Sequence, residues 1–178
     1  MLRLSKRKTA RRQLETAVEL YFHHGDDVAI HTLVAAAYGL VGELNEHRGG
    51  EPMLKDLHVF LNSDEAKRVL KYASRSDIFI KHSDKDPNAI GEVDPRWSGL
   101  MLWEACRKYC ELTGELNKAL IAYVFWFVAH LTPEQRAAIE EKLVAQGFST
   151  VEQLGAKLER MGLPLNDRTR CFRALMDY

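Results

Sequence analysis

Two groups of side chains in this sequence combine ligand or acid–base chemistry with a spacing that folding could exploit. The first is His23-His24-Gly25-Asp26-Asp27, with His31 following. Imidazole nitrogens and carboxylate oxygens are ligands for zinc, iron or manganese, and a junction between two helices can bring several of them together. The stretch has neither a His-x-x-x-His pair nor a His-Asp dipeptide. The competing reading assigns the same residues to helix ends. Asp26 or Asp27 then caps a helix, His23 and His24 complement the dipole of a C-terminal turn, and His31 hydrogen-bonds to a neighbour.

The second group runs from Arg75 to Pro87 and holds Arg75, Lys81, His82, Asp84, Lys85 and Asp86. In a helix that starts near Asn62 and continues this far, residues seven apart lie two turns along and only about 20° around. Arg75 and His82 would then share a face. An arginine can hold a phosphate by two hydrogen bonds while a histidine moves a proton, and Asp84 or Asp86 could orient the imidazole. That is chemistry for metal-independent cleavage of RNA or another phosphodiester. In the competing reading Lys81, Asp84, Lys85 and Asp86 form a solvated turn, and His82 ends a helix.

The interval between Arg75 and His82 is similar to the Arg-to-His motif of the HEPN superfamily, all-α proteins that include dimeric ribonuclease toxins. That resemblance implies a catalytic role for Arg75 and His82. A longer resemblance spans roughly residues 10 to 130. It rests on Ala10-Arg11-Arg12-Gln13-Leu14-Glu15-Thr16-Ala17, Ile30-His31-Thr32-Leu33, Ala35-Ala36-Ala37-Tyr38, the Lys81-to-Pro87 segment and Leu112-Thr113-Gly114-Glu115. These stretches look like a family of uncharacterised bacterial proteins, which brings no established activity. The resemblance implies Asn at position 77 and Pro at position 27, where this chain has Asp in both, and it does not call for Arg at position 75. Weight therefore moves to His31 and the Lys81-to-Pro87 segment. Neighbouring helices are expected to bring His31 and Tyr38 toward Lys81, His82, Asp84 and Asp86, forming a polar pocket. Three functions follow: a protein- or ligand-binding module, a HEPN-like ribonuclease using Arg75, His82 and Asp84, or a metal-dependent hydrolase built from His31, His82, Asp84 and Asp86. The residues identify no cofactor.

Apolar spacings of three and four recur along the chain and period-two alternation is scarce, so the expected fold is all-α. Leu14, Ala17, Val18 and Tyr21 predict a first helix over 9–24 that Gly25 ends. A second opens at Asp26 or Asp27, with Leu33, Ala36, Ala37, Leu40, Val41 and Leu44 as its apolar stripe. The small residues around Gly39 and Gly42 predict close approach by a neighbouring helix. Asn62 and Glu65 start a third helix, and Leu102, Ala105, Cys106 and Tyr109 mark a fourth that Thr113-Gly114 ends. An apolar helix over 115–130 follows at once, implying an antiparallel pair. Thr132-Pro133-Glu134-Gln135 reads as a helix start, and Asn166 or Asp167 opens the last helix. The expected organisation is a helical bundle over 1–131 with a small helical tail over 132–178 packed on it.

The 178 residues contain 25 Lys and Arg against 25 Asp and Glu, a balance that excludes a strongly basic nucleic-acid binder in the bulk sense. Three cysteines lack the paired spacing of a disulfide framework and fit a reducing, cytoplasmic setting. Cys106 and Cys110 are expected in the core. The most apolar stretch, Ala119 to Leu131, is shorter than the roughly 18 residues of a membrane span, so no membrane partner is expected. A homo-oligomer is expected, with a protein or RNA as possible partner. The basic stretch Arg3 to Arg12 could touch phosphates or anionic lipid, but is expected to be solvated and frayed. Trp103, Tyr123, Trp126 and Phe127 are expected in the core or in a dimer interface.

Overall fold

The computed structural model describes residues 2–50, 53, 62, 64–68, 71, 88, 90–137, 139 and 166–177. The protein is an all-α helical bundle. Its long described helices are α1 (Lys6–Phe22), α2 (Asp27–His47), α3 (Pro95–Thr113), α4 (Lys118–Ala129) and α5 (Arg168–Asp177).

The caps follow from sequence chemistry. Ser5 accepts from the Lys8 amide, Asp26 from Ala29, Asp94 from Arg96 and Asn117 from Leu120, each satisfying an amide that the first turn leaves open. Asn62 and Glu65 exchange bonds, with Glu65 N donating to Asn62 Oδ1 at 2.9 Å and Asn62 N to Glu65 Oε2 at 3.2 Å. Thr132 and Gln135 do the same at 3.0 and 3.2 Å. Both are reciprocal capping boxes. Asp167 opens α5 by accepting from Arg170 N at 3.0 Å.

Two expected ends differ in detail. The left-handed residue after α1 is His24, at φ 54°, while Gly25 N donates to Leu20 O at 2.7 Å. Gly25 is needed there for space, since a Cβ would stand 2.9 Å from Leu20 Cδ2. The basic start of the chain is also more ordered than a frayed terminus. Helix α1 begins at Lys6 and buries Ala10, Lys6 pairs with Glu43, and Arg7 pairs with Glu115.

Cross-helix bonds fix the directions. Lys6 meets Glu43, so α1 and α2 are antiparallel. His31 meets Ser98, Tyr38 meets Glu104 and Arg48 meets Leu112 O, so α2 and α3 are parallel and in step. Asn117 donates to Glu15 while Tyr123 and Trp126 pack on Tyr21, which makes α4 parallel to α1 and antiparallel to α3. Each helix of this four-membered ring packs on its two neighbours, and α5 lies on α1 and α4. Two parallel neighbours cannot be joined by a tight turn, which is why 47 residues, 48–94, separate α2 from α3.

The core contains Leu14, Val18, Phe22, Val34, Val41, Leu102, Leu120 and Tyr123, all fully buried. On α2 the buried face differs from the expected stripe. Ile30, His31, Val34, Ala37, Val41 and Asn45 are buried, whereas Leu33, Ala36, Leu40 and Leu44 are only half-buried. Among the described residues, no close approach is made at Gly39 or Gly42. None of the described residues lies within 4 Å of a Cβ built at Gly39, and Met53 Sδ lies an ordinary 3.9 Å from one at Gly42. The close approach is at Gly99 of α3, where a Cβ would be 3.3 Å from Tyr123 Oη.

Among the described residues, α2 is the one helix long and apolar enough to cross a membrane by length and composition, in place of the shorter α4. Here it packs between α1 and α3 and buries His31 and Asn45 against them.

Candidate functional site

Helix α3 determines where polar chemistry can sit. Residues Met101 to Tyr109 are all buried, so the helix is enclosed on every side rather than along one stripe. Glu104, Arg107 and Lys108 are consequently 5%, 6% and 9% exposed, unusual for charged side chains. Such groups are stable only when hydrogen-bonded or paired. Arg107 reaches Glu111 at 3.5 Å and lies over the Trp103 ring, 5.3 Å from its centroid. Lys108 donates to Glu111 at 3.1 Å.

Two rungs cross from α2 to this helix. His31 is wholly buried, and its Nδ1 lies 2.9 Å from Ser98 Oγ. Ser98 Oγ is in turn 3.4 Å from the Asp94 carbonyl oxygen. Both contacts are satisfied when Nδ1–H donates to Oγ and the hydroxyl gives its single proton to the carbonyl. Two turns further on, Tyr38 donates to Glu104 Oε2. The parallel register makes these rungs regular, since His31 to Tyr38 and Ser98 to Glu104 are nearly equal steps along two helices that keep the same direction. An imidazole, a hydroxyl, a phenol and a carboxylate therefore line one seam, whereas Arg107, nine residues and half a turn around α3 from Ser98, lies over Trp103 instead. Such a set offers hydrogen-bonding groups to a polar molecule, with the Glu104 carboxylate as acceptor.

Of the residues singled out from sequence, His31 and Tyr38 are brought to this seam. Arg75, Lys81, His82, Asp84 and Asp86 lie outside the described residues, so the expected junction with His31 does too. Reasoning from sequence missed Ser98, Glu104, Arg107 and Lys108. The available signal was apolar residues on every face of 97–109, with Trp97, Leu100, Met101, Leu102, Trp103, Ala105, Cys106 and Tyr109 leaving the interspersed charges no solvent face.

The junction of α1 and α2 takes the helix-end reading. Asp26 caps α2, and His23 Nδ1 lies 2.8 Å from Glu19 O. Among the described residues no three His, Cys, Asp or Glu side chains are grouped as a metal would need. The cysteines are free thiols, and burial pushes Cys106 well above and Cys110 above the ordinary thiol range. The aromatic residues build core: Trp103 stacks on Phe127 with centroids 5.4 Å apart, and Tyr123 packs edge-on to Tyr21 at 4.9 Å.

No family model matches this chain, and no curated protein or solved structure matches it either.

Proposed function

We propose that the protein is a cytoplasmic binding module, self-associating, that holds a small polar ligand or a polar side chain of a partner protein at the α2–α3 seam. One observation carries this reading: Glu104 and Arg107 are buried one turn apart on α3, with Tyr38 of α2 bonded to Glu104. Burying charges is costly, and apolar residues of similar volume often stabilise a core as well or better. Charges retained in such a place, next to a phenol and within two turns of a buried imidazole, are the usual equipment of a recognition site. Glu104 supplies acceptor lone pairs, Tyr38 holds that carboxylate in place, and His31 with Ser98 sets the far end. In this reading the chain belongs with the uncharacterised bacterial all-α proteins it resembles, and its histidines recognise or support rather than catalyse.

The test is a thermal-shift screen of the purified chain against a panel of small carboxylates, phosphates and amines, repeated with Glu104→Gln and Tyr38→Phe. A compound that raises the melting temperature of the wild type, and not of the two folded variants, supports the seam as the site. Stabilisation unaffected by both variants removes it. Incubation of RNA with the protein in excess chelator addresses the HEPN-like alternative. Cleavage lost in a folded His82→Ala variant would replace the module reading with a ribonuclease.

A further inference from the structure

We infer that the end of the bundle formed by the start of α1 and the α3–α4 link is a docking surface for an anionic lipid bilayer, independent of the ligand seam. The segment 2–12 carries six cations and no acid. In the fold these cations divide into two sets. Lys6, Arg7 and Arg11 are consumed by Glu43, Glu115 and Glu15. Arg3, Lys8 and Arg12 make no ion pair among the described residues, and neither does Lys118 at the start of α4.

The internal pairs place the remaining charges together. Glu115 takes Arg7 and lies 3.8 Å from Arg11, while Asn117 donates to Glu15 at 2.6 Å. The link residue between them, Leu116, is thereby held beside α1 at the level of Lys8 and Arg12. Arg12 and Lys118 line one open cleft of about 400 Å³. The acids there are largely used, since Glu15 and Glu115 are both ion-paired. Glu19, which also lines the cleft, is the acid left without an ion pair among the described residues.

Apolar side chains decide the kind of partner. Leu116 is 85% exposed, Leu2 72% and Leu4 42%. Isolated exposed leucines are ordinary, but three at one end of a bundle, interleaved with free Arg and Lys, match an interface with hydrocarbon below and phosphate above. Nucleic acid would use the same cations and has no need of the leucines. Peripheral attachment needs no membrane-spanning helix, so the shortness of Ala119 to Leu131 does not bear on it.

The experiment is co-sedimentation of the full chain with phosphatidylcholine vesicles with and without phosphatidylserine. The wild type is expected to sediment only with the anionic vesicles and to be released by salt. Lys8→Glu/Arg12→Glu/Lys118→Glu should lower the partition coefficient by about two orders of magnitude. Leu4→Ser/Leu116→Ser, with the charge unchanged, should lower it by about tenfold or more. All these positions are exposed, so circular dichroism melts should match the wild type. Wild-type protein that stays in the supernatant overturns the inference, as does vesicle binding indifferent to the charge reversals. Binding that ignores the leucine substitutions and is competed away by single-stranded RNA would reassign the surface to nucleic acid.

Discussion

Close packing between α3 and α4 predicts a conditional effect of adding one methyl group. Tyr123 is fully buried, and its hydroxyl donates to the Gly99 carbonyl at 2.9 Å. A Cβ at Gly99 would lie 3.3 Å from the Tyr123 hydroxyl oxygen and 3.9 Å from Tyr21 Cε2, with no other contact within 4 Å among the described residues. In a helix interior, Gly to Ala is intrinsically favourable by about 0.8–1.0 kcal/mol. In the wild type that gain is opposed by displacement of the hydroxyl from its bond, worth about 0.5–1.5 kcal/mol. Gly99→Ala alone should therefore leave stability within about 0.5 kcal/mol of wild type. Tyr123→Phe alone should cost about 1 kcal/mol for the lost bond. With the oxygen gone, the methyl group meets only the ordinary Tyr21 contact, so Gly99→Ala in the Phe background should recover about 0.8–1.0 kcal/mol. The double-mutant cycle should show a favourable coupling near 1 kcal/mol, read by urea denaturation, with melting-temperature changes of about 2–4 °C per kcal/mol. Additive single effects would refute the reasoning, because they would mean that the tyrosine hydroxyl does not limit the approach of α3 and α4.

Three further outcomes follow from the same structure. Phe22→Ala removes a fully buried ring stacked on Phe172 at 4.5 Å and edge-on to Tyr123 and Trp126, and should cost about 3–5 kcal/mol by denaturant titration while raising protease cleavage around α5. Gly114→Ala forces an alanine to φ +67° with nothing else within 4 Å, so its cost should be the backbone term alone, about 1 kcal/mol, with Gly114→Asn milder. The Glu115 carboxyl is held below the usual carboxylate range, first by the Arg7 hydrogen bond and then by the Tyr109 hydroxyl. Its contribution is present above the unfolded-state value and lost as pH falls through the folded one, so Glu115→Gln should flatten the acid limb of a melting-temperature profile and leave less difference between acid and neutral pH.

Much of the helical architecture was legible in the sequence because it depends on neighbours along the chain. Asp26, Thr132 with Gln135, Asn62 with Glu65, and Gly114 do their work within a turn of where they stand, so residue type and spacing place these helix ends, whereas the Asn117 cap starts α4 three residues later than the apolar pattern implies. The antiparallel α3–α4 pair was legible for the same reason, since four residues of link allow little else. Cys106, Trp103, Tyr123 and Trp126 could be assigned to the core from their apolar setting.

The seam was not legible in that way. His31 stands out in sequence by its chemistry, but Ser98 lies 67 residues away, and only the parallel register of α2 and α3 makes them partners. Tyr38 and Glu104 depend on the same register. The burial of Glu104 and Arg107 depends on what surrounds α3 on all sides, a sum of contacts from distant segments that local periodicity does not encode. The division of the basic segment is likewise tertiary: Lys6, Arg7 and Arg11 differ from Arg3, Lys8 and Arg12 only in which acids the folded bundle sets opposite them. Sequence alone thus determined the helices, their caps and the candidate donors and acceptors, because those follow from bonds within a turn. The tertiary structure decided which charges are buried and which remain exposed, because that depends on the direction and register of helices far apart in the chain.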